Sequence, residues 1–260
     1  MACAPRRGLF CAKAMTAPVT LFHVSDLHFG AEDREALAWF AGEVARDRPD
    51  WVICTGDITM RARHHEFAAA QAWLSALDAP VMVEPGNHDM PYFNPVERFV
   101  SPYARYGVLR RAVYREPQLD GVAVVPLRTV APAQWRLNWS KGRVGRVDLA
   151  HALAGLSTAE DCGLRLVACH HPLVEADTTA TASTRGGRHA LAALARAGAH
   201  AVLSGHVHDA FDMMVDAEGT PVRLIGAGTL SERVRATRPS YNRLDWSAAT
   251  GLVVSVRGMA

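Results

Sequence analysis

The sequence predicts an α/β fold in which parallel strands are joined by crossover helices. Two features carry that prediction. Short apolar runs alternate with amphipathic helical patterns, in the order strand, helix, strand, helix, strand, through the first third of the chain. Each apolar run then stops abruptly at Gly, Asp, Asn or His.

Val19–Ser25 is an apolar run that closes at Asp26 and reads as the first strand. Ala31–Arg48 places Leu37, Phe40, Ala41 and Val44 at helical spacing. Trp51–Thr55 is the next strand and ends at Gly56-Asp57. Glu66–Leu77 repeats the helical spacing with Phe67, Ala70, Trp73, Leu74 and Leu77. Val81–Glu84 is the third strand, closed by Pro85-Gly86. From Pro91 to about Gly163 the rhythm breaks. A Pro/aromatic stretch (Pro91–Tyr106) leads to expected strands at Ala112–Tyr114 and Val122–Leu127, an irregular segment Arg128–Arg146 and a helix at Asp148–Leu156. The regular pattern then returns: strand Leu164–Cys169, helix Gly187–Ala197, strand Ala201–Leu203, and closing strands at Phe211–Val215, Val222–Ile225 and Leu252–Val256. No internal repeat is visible.

The overall charge excludes little by being extreme and much by being ordinary. With 28 basic against 26 acidic residues the net charge is +2, which gives no general attraction to nucleic acid or an anionic membrane. Almost all the basic residues are Arg, and a bias spread along the whole chain reads as composition rather than function. No run approaches the roughly 18 apolar residues needed to span a bilayer. Residues 1–18 contain Arg6, Arg7 and Lys13 but no signal-peptide apolar stretch, so they read as a disordered extension, with Met15 an equally good start. Residues 19–260 read as one domain. Cys3, Cys11, Cys54, Cys162 and Cys169 include no CxxC spacing, and Cys54 and Cys169 sit in apolar strand runs. Free buried thiols in a reducing, cytoplasmic compartment are the expected state.

The polar residues fall on this map in a pattern. The first strand ends in Asp26-Leu27-His28, the second in Gly56-Asp57, the third in Gly86-Asn87-His88-Asp89. Later strands end in His170-His171-Pro172 and Gly205-His206-Val207-His208. Ligands in parallel α/β sheets bind beyond the carboxyl ends of strands, so these groups are expected on one rim. In Asp-x-His and His-x-His, alternate residues of an extended segment face the same way. The glycines Gly56, Gly86 and Gly205 let the backbone turn and approach closely. Mixed nitrogen and oxygen donors suit zinc, manganese or iron better than magnesium or calcium. Asp57, alone in its motif, is the natural carboxylate to bridge two cations.

The series DLH, GDIT, GNHD, HHP and GHVH, in that order from Asp26 to His208, resembles the calcineurin-like metallophosphoesterase superfamily, and within it the bacterial class III cyclic-nucleotide phosphodiesterases. The resemblance implies a four-layer α-β-β-α sandwich of two mixed sheets, with 91–163 partly a variable cap over the site. It implies two divalent or trivalent metal ions per chain (manganese, iron or zinc). Asp26, His28 and His208 would hold the first, Asn87, His170 and His206 the second, and Asp57 would bridge. His170 is preferred to His171 as the first residue of H-x-P. His88 matches the family's catalytic histidine, with Asp89 orienting its ring. The implied reaction is attack of a metal-bridging hydroxide on the phosphorus of a small phosphodiester such as a cyclic nucleotide. A homodimer is compatible with the family.

The same centre serves other readings. A phosphomonoesterase is one. A nucleotide-lipid hydrolase should show an apolar acyl channel, and none is obvious. A DNA nuclease should carry further segments and a more basic face. A non-catalytic scaffold should have lost several of these groups. Among the other polar residues, His171 is as readily a packing or supporting group as a substrate contact, His64 and His65 read as a solvated helix start, His189 and His200 as surface residues, and His23 as a satisfied core histidine. Ser204 lacks the context of a nucleophile. Trp135, Arg136, Trp139, Lys141, Arg143 and Arg146 read as a packed loop or as a lid that stacks a base. Asn138 slightly resembles a segment of the cyclic-nucleotide enzymes. Arg233, Arg235, Arg238 and Arg243 read as a surface face.

Overall fold

A computed structural model describes residues 18–132, 138, 140–176, 178, 180–181, 184–235 and 238–260. The expected N-terminal extension up to residue 17, and Trp135, Arg136 and Trp139, lie outside the described residues. The elements run β1 (Val19–Val24), α1 (Arg34–Asp47), β2 (Trp51–Cys54), α2 (His64–Ala76), β3 (Val81–Val83), α3 (Pro95–Val100), α4 (Ala104–Val113), β4 (Val122–Pro126), α5 (Arg146–Thr158), β5 (Leu164–Ala168), α6 (Gly187–Arg196), β6 (Ala201–Ser204), β7 (Phe211–Ala217), β8 (Thr220–Gly226), β9 (Ser240–Ser247) and β10 (Gly251–Gly258). They form two five-stranded sheets, ordered β10-β9-β1-β2-β3 and β4-β5-β6-β8-β7. Both are mixed. β1, β2 and β3 pair in parallel while β9 runs antiparallel to β1 and β10. β4, β5, β6 and β8 are parallel and β7 is antiparallel to β8.

Alternation along the strands makes the layers. Leu21 of β1, Trp51 and Ile53 of β2 and Met82 of β3 meet Leu164, Leu166 and Ala168 of β5 and Ala201 and Leu203 of β6 in a core between the sheets. The intervening residues Phe22, Val24, Val52, Cys54, Val81 and Val83 face the other way, onto Leu37, Phe40, Val44, Phe67 and Leu74 of α1 and α2. On the second sheet Val167, Val202, Val222 and Leu224 face Leu156 of α5 and Leu191 and Leu194 of α6. The result is the four-layer α-β-β-α sandwich, with both sheets buried on two faces, as apolar parallel strands require.

Local signals explain most boundaries. Asp33 caps α1 by accepting from Glu35 N and Ala36 N. α2 starts at His64, two residues before the sequence pattern suggests, because buried Glu66 reaches back to accept from Arg61 N at 2.8 Å and Arg63 N at 3.1 Å. Two expectations need correction. Ala112 and Val113 are not strand but the last turn of α4, whose Tyr106, Leu109 and Val113 bury one helical face; Tyr114 alone makes an isolated bridge to Val81. β9 was not expected, because polar Asn242, Arg243 and Asp245 interrupt its apolar residues. Asn242 is nevertheless fully buried, donating to Gly226 O at 2.9 Å. Between Pro91 and Gly163 the structure places α3, α4, β4 and α5, with β4 an integral edge strand of the second sheet. Cys54 and Cys169 are buried free thiols. Among the described residues no helix is long and apolar enough to cross a membrane.

Candidate metal centre

The carboxyl ends of β1, β2 and β3 in one sheet and of β5 and β6 in the other meet at one rim. The backbone ladder continues past the strand ends: Asp26 N donates to Gly56 O and His28 N to Asp57 O, each at 2.9 Å. The two sheets lock together here. His206 N donates across to Asp26 Oδ2 at 2.8 Å, while within the second sheet Gly205 N donates to His170 O at 2.9 Å. A Cβ on Gly205 would lie 1.8 Å from Ser25 Oγ, so no larger residue fits between the sheets at this point.

The extended backbone expected of Asp-x-His and His-x-His is not what turns these side chains onto the rim. Asp26 (φ 57°), His28 (φ 47°), Asp57 (φ 49°), His206 (φ 72°) and His208 (φ 61°) are all left-handed. Such a conformation costs an L-residue roughly 1–2 kcal/mol, least for Asp, Asn and His. Two left-handed residues flanking a buried Leu27 or Val207 turn both polar side chains into the rim while the apolar one enters the core. Strain concentrated on candidate ligands is a mark of a functional site.

Seven side chains gather into two sets about Asp57. In the first, His28 Nε2 and His208 Nε2 are 3.2 Å apart, His208 Nε2 is 3.1 Å from Asp26 Oδ1, and His28 Nε2 is 3.6 Å from Asp26 Oδ1. Asp57 Oδ2 lies 3.9 Å from His28 Nε2 on one side and 3.3 Å from His170 Nε2 on the other. In the second set, His170 Nε2 is 3.2 Å from Asn87 Oδ1, and His206 and His170 each bring a ring nitrogen within 4.8 Å of the other. The outer nitrogens fix the tautomers. His170 Nδ1 donates to Thr55 O at 2.8 Å and His208 Nδ1 to Arg233 O at 2.7 Å, so each Nε2 presents a lone pair inward. Lone pairs that face one another at such distances repel unless a cation or a proton lies between them. Atoms roughly 2.0–2.1 Å from one ion are roughly 3.0–3.4 Å apart, close to the spacing seen here. Asp26 Oδ1 is buried and has no hydrogen-bond partner, which a cation would supply. The residues fit a pair of metal ions.

The electrostatics agree. Burial alone would raise Asp26 and Asp57, but the surrounding imidazoles, His208 for Asp26 and His170 for Asp57, hold both well below the usual carboxylate range. Burial opposes a charge on His170, yet Asp57 lifts it to about 9. His206, desolvated and beside His170, falls to about 3. A proton thus takes the cation's place on His170 in metal-free protein. Its folded value exceeds the ordinary 6.5, so that part of the metal-free stability is present below about 6.5 and lost as pH rises through about 9. Metal needs the neutral ring, so its affinity should rise over the same interval, with proton release on binding. Calorimetry in buffers of different ionisation enthalpy checks this; metal uptake without proton release at pH 7.5 contradicts it.

The remaining expected residues fall into place unevenly. His88 sits at the rim, but Asp89 does not orient its ring. Asp89 instead accepts from Ile58 N (3.1 Å), Thr59 N (2.8 Å), Thr59 Oγ1 (2.8 Å) and Gly86 N (2.9 Å), tying the β2 and β3 loops together. The His88 ring is held by Met60 O, which accepts from Nδ1 at 2.7 Å. His171 has both nitrogens engaged, with Thr129 Oγ1 at 3.0 Å and Ser140 O at 2.8 Å, so it supports the rim rather than offering a ligand atom. His23 is a satisfied core residue between Thr55 Oγ1 and Asn242 Nδ2. His64, His65, His189 and His200 are exposed, and Ser204 is buried.

Arg233 was not expected here. Far from lying on the surface, its half-buried guanidinium places Nη1 3.2 Å from His88 Nε2 and 3.4 Å from His28 Nε2. The signal was hidden because the residue follows β8 in a loop without a strand-end motif. That loop is pinned by Thr229 Oγ1 donating to Asp26 O at 2.7 Å. A cavity of ≈ 310 Å³ opens at the centre, and Asp57, Asn87, His88, Asn138, Lys141 and Arg233 are on its wall.

Strand-end carboxylates, imidazoles and one amide grouped about a shared aspartate define a dinuclear metal-dependent phosphoesterase. The chain belongs to the calcineurin-like phosphoesterase family, whose sequence profile matches residues 19–210. It is 24% identical over 221 residues to the probable cyclic nucleotide phosphodiesterase syc0937_d of Synechococcus sp. (strain ATCC 27144 / PCC 6301 / SAUG 1402/1), covering 78% of this chain and 77% of that one. It is 35% identical over 80 residues to the glycerophosphodiester phosphodiesterase GpdQ of Enterobacter lignolyticus (strain SCF1), a match that spans 26% of this chain and only 29% of the relative. Its fold is that of a dimetal phosphatase from Danio rerio, with a TM-score of 0.66 at 15% identity over 92% of this chain and 96% of that one.

Proposed function

We propose that this protein is a phosphodiesterase for a small phosphodiester such as a cyclic nucleotide. The metal pair would be held by Asp26, His28 and His208 on one side, by Asn87, His170 and His206 on the other, and by Asp57 between them. The observation that carries the reading is the ≈ 310 Å³ cavity whose floor is this centre and whose walls include Arg233, Arg235 and Lys141. Its size suits a small ligand, and its cations suit a phosphate. A nucleic-acid strand would need a longer basic groove. Two relatives that bear phosphodiesterase names support a diester.

When bound, the metal pair supplies positive charge for the phosphoryl oxygens and a water of lowered pKa. The protein's own groups do the rest. Asp57 Oδ2 sits between the two ligand sets and fixes their separation. In hydrolysis a water oxygen bonds to phosphorus and gives up a proton to solvent, the bond to the leaving oxygen breaks, and that oxygen takes up a proton in its place. His88 is the side chain placed to give it. Met60 O accepts from Nδ1, so Nε2 is the nitrogen that faces the cavity. Arg233 can only donate, so in the resting site Nε2 is an acceptor. His88 therefore acts on the leaving oxygen once Nε2 carries a proton and the guanidinium has turned away. His88→Ala is expected to keep both metals and lose roughly 10²–10⁴ in turnover, read by metal analysis and steady-state kinetics; unchanged turnover removes His88 from the mechanism.

The three cations of the cavity wall, Lys141, Arg233 and Arg235, favour one second reading, a phosphomonoesterase, since a monoester carries more negative charge than a diester. A hydrolysis panel with added manganese separates the two. It compares an aryl diester, an aryl monoester, cyclic AMP, a 2′,3′-cyclic nucleotide and single-stranded DNA. The diesters should be turned over faster than the monoester, and a wide preference for the monoester defeats the proposal.

A further inference from the structure

We propose that Arg233 is a phosphate-binding and positioning residue of this centre: its guanidinium takes a non-bridging oxygen of the phosphoryl group and, in doing so, releases His88 toward the leaving oxygen. The proposal rests on the phosphoesterase reading of the site but not on the choice between diester and monoester.

Three observations point to it. The first is reach. Arg233 Nη1 lies 3.2 Å from His88 Nε2, 3.4 Å from His28 Nε2 and 3.9 Å from Met60 Sδ, so the cation stands directly over the rim. The second is anchorage. The backbone of Arg233 is part of the centre, with its carbonyl accepting from His208 Nδ1 at 2.7 Å and its N–H donating to Ser231 Oγ at 3.3 Å. Ser231 is buried and bonded in turn to Thr229 Oγ1, which donates to Asp26 O. The guanidinium therefore swings on a fixed base. The third is its partners. Arg105, Arg223 and Arg243 each meet a carboxylate. Among the described residues the side-chain contacts of Arg233 are two imidazole nitrogens and a thioether sulfur, none of them a carboxylate. A half-buried guanidinium facing an anion-sized cavity with such partners is suited to exchange them for a phosphoryl oxygen, a stronger and charged acceptor.

The exchange has a consequence for His88. The N–H that Arg233 gives to Nε2 occupies the one nitrogen that faces the cavity. Transfer of that hydrogen bond to the phosphoryl group frees Nε2, while Met60 O keeps the ring in place. Lys141 does not duplicate this, because its ammonium donates to Thr181 O at 2.6 Å and Thr181 Oγ1 at 3.1 Å, which ties it to another residue of the cavity wall.

The test uses full-length, manganese-loaded protein and two variants, Arg233→Ala and Arg233→Lys. Orthophosphate is titrated calorimetrically, and aryl phosphodiesters with leaving groups of graded acidity are then hydrolysed. Arg233→Ala should retain two metals per chain and bind orthophosphate about 10- to 100-fold more weakly, the loss expected for one charge-assisted hydrogen bond. Its rate should depend on leaving-group acidity no more steeply than the wild type's, because His88 Nε2 is then free from the start, and Arg233→Lys or added guanidinium should restore part of the binding. Orthophosphate binding unchanged in Arg233→Ala overturns the proposal. So does loss of a metal from both variants, which would make Arg233 a support for the ligands. Orthophosphate binding that depends on Arg233 in a protein that hydrolyses none of the diesters upholds this proposal and defeats the diesterase reading alone.

Discussion

Asp57→Ala is expected to abolish binding of both cations, and turnover with them. Asp57 Oδ2 faces His28 Nε2 at 3.9 Å and His170 Nε2 at 3.3 Å, and Oδ1 accepts from His88 N at 2.8 Å. One substitution thus removes a donor from each ligand set and loosens the loop that carries Asn87 and His88. Loss of a group that merely orients a ligand costs roughly 10–100-fold in metal affinity or activity; loss of a shared ligand should cost more at both positions. Asn87→Ala, which touches one set, should weaken one metal more than the other. Metal content after dialysis, with two-site titration, distinguishes them. Two tightly held metals in Asp57→Ala would show that this carboxylate is not shared.

A methyl group at position 86 should be nearly as damaging without touching any ligand chemically. A Cβ on Gly86 would lie 2.1 Å from Asp57 N and 2.1 Å from Asp57 Oδ1. Neither is the end of a flexible side chain. The backbone nitrogen cannot yield without moving β2, and the carboxylate cannot yield without leaving the centre. Forced overpacking costs about 1–3 kcal/mol or more, which for a chain of this size lowers the melting temperature by roughly 2–12 °C. Gly42→Ala is the control. Its Cβ meets nothing within 4 Å on the exposed face of α1, so it should hold or raise stability by up to about 1 kcal/mol. Thermal melts of the two variants decide it; Gly86→Ala that melts with the wild type and keeps both metals contradicts the packing argument.

Much of this was legible in the chain. Strands that end in polar residues are visible wherever a buried run stops, because burial on both faces makes the run continuously apolar, as in Trp51–Cys54 and Leu164–Ala168. The order of the motifs then places seven donors on one rim. What was hidden depends on tertiary context. β9 carries a buried asparagine whose partners, Gly226 O and His23, are distant in sequence. Val113 belongs to a helix because Tyr106 and Leu109 share its buried face, not because of its own propensity. Asp89 adjoins His88 in sequence but points to Ile58, Thr59 and Gly86, since adjacency does not fix side-chain direction in a tight turn. Arg233 gave no local sign at all, because its place over the rim comes from a loop that Thr229 and Ser231 pin to the first sheet.

The centre draws on both sheets for each of its halves: Asp26 and His28 follow β1 but His208 follows β6, and Asn87 follows β3 but His170 and His206 follow β5 and β6. On this ligand assignment a cation gripped from both sides would work as a rivet through the seam of the sandwich. Its binding energy is then also adhesion between the two halves of the molecule, which grows with the free metal concentration as RT ln(1 + [metal]/Kd). Chelation should therefore unzip the rim before it loosens the helices. The melting temperature of this protein becomes a gauge of how much metal its surroundings supply.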